Sequence, residues 1–140
     1  MRKLNVWVIF RRPAPGVGDW EAHVLDLDVV TYGKTLAHAV EMALEAARMI
    51  VVDDLQEGRD PSERRAPDEE WREMYELQER ATNGAGAKLR TLGDLIKDPE
   101  TETSAQRVAV NLEVEFEVAS EESVATEGFP DRGMALSECA

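Results

Sequence analysis

From Arg107 to Val118 the chain keeps a strict period of two: Val108, Val110, Leu112, Val114, Phe116 and Val118 alternate with Arg107, Ala109, Asn111, Glu113, Glu115 and Glu117. Successive side chains of an extended strand point to opposite faces, so this spacing predicts a strand with one apolar face and one face carrying three successive glutamates. A strand of that kind is stable only beside other strands and beneath a covering layer. The rest of the chain must supply both.

The N-terminal part supplies the strands. Leu4, Val6, Val8 and Phe10 share one side of an extended segment, with Trp7 and Ile9 on the other, before Pro13, Pro15, Gly16 and Gly18 break it. Trp20, Ala22 and Val24 then alternate with Glu21 and His23, Asp26-Leu27-Asp28 follows, and the β-branched run Val29-Val30-Thr31 leads into Tyr32-Gly33. Three short strands so close together predict an antiparallel meander.

The cover is a helix predicted over residues 35–56, with Thr35 as its N-cap and Gly58 and Pro61 stopping it. Leu36, Ala39, Val40, Ala43, Leu44, Ala47, Ile50, Val51 and Leu55 recur at steps of three and four, one stripe suited to a sheet face. Met42, Ala46 and Met49 widen that stripe and mark a second contact side, to be covered either by the following segment or by another copy of the chain. They are the candidate self-association residues.

Between Glu57 and Ser104 the chain turns charged, and two short amphipathic helices fit between its breaks. One begins at Pro67-Asp68-Glu69-Glu70 and carries Trp71, Met74, Tyr75 and Leu77; the other carries Leu89, Leu92, Leu95 and Ile96 and stops at Asp98-Pro99. The expected architecture is α+β, a single domain over residues 1–118. It comprises a three-stranded antiparallel meander, a long helix across one sheet face, a helical insertion at 57–104 and a final strand. Residues 119–140, rich in Glu, Ser and Gly, are expected to form a mobile acidic tail.

Charge and motif content narrow the function. The 140 residues carry a net charge of −13, and residues 105–140 alone hold eight acidic and two basic side chains. That field repels phosphates and favours basic partners, so direct nucleic acid binding is not expected. No apolar run approaches membrane-spanning length, and Leu4–Phe10 runs into Arg11-Arg12 instead of a cleavage site, so a cytoplasmic protein is expected. Cys139 is the single cysteine, and His23 and His38 are the only histidines, at a spacing unsuited to a two-histidine metal motif. Gly16-Val17-Gly18 and Gly84-Ala85-Gly86 lack the companions of a phosphate loop, and no serine sits in a nucleophile elbow. No catalytic residues, cofactor or metal are expected.

Two acidic groupings remain as partner-binding candidates. Asp26 and Asp28 at spacing two read either as paired acids or metal ligands, though without an identifiable third ligand, or as a polar turn between strands. Glu113, Glu115 and Glu117 read either as an acidic recognition strip or as charges that deter edge pairing.

The run Trp20-Glu-Ala-His-Val-Leu-Asp26-Leu27, followed by Val30-Thr31-Tyr32-Gly33-Lys34-Thr35-Leu36-Ala37-His38-Ala39, resembles the HicB-type antitoxin domain, whose pattern is aromatic-x-Ala, Asp-Leu, then Thr-x-Gly-x-Thr-Leu-x-x-Ala. The resemblance covers roughly residues 4–56, with strand 107–118 as the last β-element. Asp28-Val29 stands where that family usually has Pro-Gly, and His38 where an acidic residue is usual. The resemblance implies a β-β-β-α-β order, a partial ribonuclease H-like fold. It implies a protein that neutralises a small basic RNA-cleaving toxin by contact, and a homodimer or higher oligomer. Residues 119–140 are too few and too acidic for the DNA-binding module many such antitoxins carry. The first strand has no carboxylate for a two-metal nuclease site, so nuclease activity is not expected. The alternative is a stand-alone oligomeric scaffold or ligand-binding module of the same fold with no toxin partner.

Overall fold

A computed structural model describes residues 1–83 and 92–118. The tail 119–140 with Cys139, the glycines Gly84 and Gly86, and Leu89 lie outside the described residues. The strands are β1 (Arg2–Arg11), β2 (Trp20–Val24), β3 (Val29–Gly33) and β4 (Arg107–Phe116), joined in one antiparallel sheet of order β3-β2-β1-β4. The helices are α1 (Leu36–Gln56), α2 (Asp68–Asn83), α3 (Leu92–Lys97) and α4 (Pro99–Ser104), with a 3-10 turn at Pro61–Arg64. The meander, long helix, insertion and final strand thus stand in the expected order.

The long β1–β4 pairing runs from Arg2 opposite Phe116 to Arg11 opposite Arg107. It puts the apolar alternate residues of both strands on the same face. Leu4, Val6, Val8 and Phe10 meet Val108, Val110, Leu112, Val114 and Phe116 there, under the α1 stripe of Leu36, Ala39, Val40, Ala43, Ala47, Val51 and Leu55. Leu44 and Ile50 of the expected stripe are only partly buried, because they lie at its margin.

Local chemistry fixes the ends of α1. The Thr35 hydroxyl accepts the His38 backbone N–H at 3.0 Å, and the His38 Nδ1 accepts the Lys34 N–H at 3.1 Å. Gly58, at φ 75°, takes the left-handed conformation that ends the helix. Gly33 lets α1 start against the sheet, since a Cβ there would stand 2.3 Å from the Ala39 nitrogen.

Helix α2 of the insertion packs on the sheet face away from α1, so among the described residues it does not cover the second side of that helix. Trp71 and Met74 of α2 pack with Ile9, Leu25 and Ala66 on the opposite sheet face, joined by Trp7, Leu77 and Ala109. Met42 and Ala46 are half-buried, and Met49 is 65% exposed. The physical reason is that β1 is apolar on both sides: Trp7 and Ile9 need a cover of their own, and the narrow apolar side of α2 supplies it.

The shorter helices close the other end. Leu92, Leu95 and Ile96 of α3 pack against the α1 side of the core. Helix α4, not anticipated from its polar sequence, delivers Glu102, which accepts the Trp20 indole N–H at 3.0 Å and the Leu36 N–H at 2.5 Å. Its backbone carbonyl also accepts from the Arg12 guanidinium, which stacks over Trp20 at 4.7 Å.

Candidate functional site

With β1 central and β4 last in the order, one long edge of the sheet is β4, and no strand lies beyond it among the described residues. Two backbone hydrogen bonds set the direction of its polar groups. Leu25 N–H donates to the Trp7 carbonyl, so odd residues of β1 face β2 and even ones face β4; Arg12 N–H donating to the Gln106 carbonyl extends the same pattern. The even residues of β4 therefore bond to β1. The N–H and C=O groups of Arg107, Ala109, Asn111, Glu113 and Glu115 point outward along the edge.

The side chains of those odd residues lie on the sheet face opposite α1. Glu113, Glu115 and Glu117 are all exposed, at intervals of about 7 Å set by strand geometry. Lys3 reaches Glu113 across the β1–β4 pair at 3.6 Å, a solvated contact. Arg48 of α1 wraps the edge, its Nε donating to the Glu115 carbonyl at 2.9 Å. Helix α2 covers this face near Arg107 and Ala109, leaving the glutamate end open among the described residues.

Asp26 and Asp28 do not form a second acidic edge. The turn after β2 points Asp26 inward, 5% exposed, where it accepts the Trp7 backbone N–H at 2.6 Å and so replaces the strand partner that β2 no longer provides. Burial pushes its carboxyl up to about 6 against the lowering effect of that hydrogen bond. Asp28, at φ 49°, turns the other way and meets the His23 Nε2 at 2.8 Å. His23 is 6% exposed and stands 3.7 Å from Glu70 through Nδ1. His38 is exposed.

A charged network beneath α2 was not legible in the sequence. Arg11 reaches Glu21 at 2.8 Å, Glu70 at 3.1 Å and Glu73 at 2.7 Å, and Arg107 adds a contact to Glu73 at 3.3 Å. Burial works against the Arg11 charge, but the hydrogen bonds and charges of Glu73 and Glu21 outweigh it and hold its pKa above the usual value. Arg11, above all, holds Glu73 below the carboxylate range. These carboxylates are matched internally, so the network clamps α2 to the sheet.

No group of three or more His, Cys, Asp or Glu side chains among the described residues is placed to hold a metal ion. Among the same residues no helix is long and apolar enough to cross a membrane. No known family model, curated protein or solved structure matches the chain.

Proposed function

We propose that this chain is a HicB-like binding protein of the cytoplasm that neutralises a small, basic, RNA-cleaving protein by covering it. The observation that carries the reading is the open glutamate end of β4, where Glu113 and Glu115 stand exposed on a rigid strand and Glu117 continues the line. Three carboxylates at strand spacing suit a row of Lys or Arg. Each exposed pair contributes only about 0.2–1 kcal/mol, so the strip acts mainly by speeding and orienting encounter. The net charge of −13 adds to that steering. The strand-helix order agrees with the resemblance of residues 4–56 to the HicB-type domain.

Co-expression with the product of the adjacent reading frame tests this. A short basic protein that co-elutes with this chain and cleaves RNA only when freed from it is the expected result. A neighbour that neither binds nor cleaves RNA removes the reading.

A second reading, a stand-alone oligomeric or ligand-binding module, draws on the outer side of α1. There Met49 is exposed, and a shallow cavity of about 600 Å³ is lined by Arg48, Met49, Ile50, Val52, Asp53 and Gln56. Loss of self-association on replacing Met49 with Glu would favour it.

A further inference from the structure

We infer that the β4 edge is where a second copy of this chain docks, two β4 strands pairing antiparallel about Asn111 to give one eight-stranded sheet. Among the described residues, the outward backbone groups of Arg107, Ala109, Asn111, Glu113 and Glu115 form a ladder five positions long with no strand beside it, a template for another strand. What selects the occupant is the order of charges along it.

Arg107 stands at one end of the ladder and Glu115 at the other, with Asn111 midway. An antiparallel copy centred on Asn111 therefore sets Arg107 opposite Glu115 of the second copy, twice by symmetry, and Glu113 opposite Ala109. It is the register that pairs all five outward residues. A register centred on Glu113 would oppose two like charges, which costs stability. The alternate positions agree: Val110 falls opposite Leu112, and Val108 opposite Val114, in the closer non-hydrogen-bonded pairs on the α1 side. These apolar residues already form the floor beneath α1, so pairing would extend an existing apolar face.

Neither flanking contact obstructs this geometry. Arg48 uses one lone pair of the Glu115 carbonyl, and a carbonyl has a second. Glu73, which touches Arg107 at 3.3 Å, keeps Arg11 as its closer partner at 2.7 Å. Glu113 and Glu117 take no part in the charge pairing, so the dimer would carry two acidic strips on one face, one towards each end of the new seam. The inference stands apart from the partner reading, since it needs only the chain itself.

Sedimentation equilibrium of the full chain at low salt, across the micromolar range, tests it. The wild type is expected at the mass of two chains. Arg107→Glu and Glu115→Arg are each expected at one chain mass, because each sets like charges opposite one another at both ends. Mixing the two variants should restore a two-chain species containing one of each, since every end then pairs Arg with Glu; recovery also shows that both variants fold. Amide exchange at Ala109, Asn111 and Glu113 should slow with concentration, while Val110 and Leu112 stay unchanged. A wild type at one chain mass overturns the inference. So does a dimer insensitive to both reversals, or a mixture that stays monomeric.

Discussion

The Asp26 carboxylate accepts the Trp7 backbone N–H at 2.6 Å, a side chain taking the place of a strand neighbour at the point where β2 leaves β1. Its pKa is raised to about 6 from an ordinary 3.8, so the protonated form is the one the fold favours. The stabilising contribution is therefore complete below about pH 4 and is lost as pH rises through about 6, an effect of about 2–3 kcal/mol. Asp26→Asn keeps an acceptor for Trp7 and cannot ionise. Relative to wild type, its stability in denaturant titrations should rise by about 2–3 kcal/mol between pH 4 and pH 7. A difference that stays flat across that range would contradict the assignment.

Asp54 behaves oppositely. It is 1% exposed and accepts from Arg64 at 2.6 Å and from Arg59 at 3.1 Å, tying the 3-10 turn to the end of α1. The Arg64 hydrogen bond, above all, holds its pKa below the ordinary 3.8, so its contribution is present at neutral pH and lost as the solution is acidified through the lowered value. Asp54→Ala should cost about 1–3 kcal/mol, because both guanidinium groups stay half in water and recover hydration. A loss under about 0.5 kcal/mol would mean that the turn is held by its apolar contacts alone.

Gly33→Ala is expected to destabilise by about 1–3 kcal/mol or more, since the added Cβ would stand 2.3 Å from the Ala39 nitrogen and 2.5 Å from its Cα, both helix backbone. This gives a physical reason for glycine in the Tyr32-Gly33-Lys34-Thr35 turn. Thermal melts that coincide with wild type would show that α1 can move away freely.

Leu36→Ala should cost about 2–5 kcal/mol, as its side chain is fully enclosed beneath the start of α1. Leu44→Ala should cost clearly less, because Leu44 lies at the margin of the stripe. Equal losses would place Leu44 in the centre of the core.

The same contrast shows what the sequence could reveal. Alternation at Val108 to Phe116 and the three-four spacing from Leu36 to Leu55 report burial on one face, and both elements stand where those periods place them. The width of the stripe could not say what covers its edge, so Leu44 and Met49 were beyond reach. The apolar pair Trp7 and Ile9 on the second face of β1 did signal a two-sided sheet, and that signal could have assigned Trp71 and Met74 to it. Arg11 and Glu73 lie 62 residues apart, and a charge pair over that separation has no periodic trace. Helix α4 has none either, since Glu102 earns its place through contacts with Trp20 and Leu36. The open glutamates of β4 were legible because strand period alone fixes which face they share.

The central claim, recognition of a basic partner by that strip, is tested most directly by stopped-flow association of the adjacent reading frame's product with wild type and with the Glu113→Lys/Glu117→Lys variant. Glu115 is left intact so that the edge pairing about Asn111 is not disturbed. The account predicts a much slower association for the variant at low salt, with the two rates converging as salt rises, and an unchanged unfolding midpoint, since Leu112, Val114 and Phe116 keep their burial. Equal association rates at low salt would contradict it.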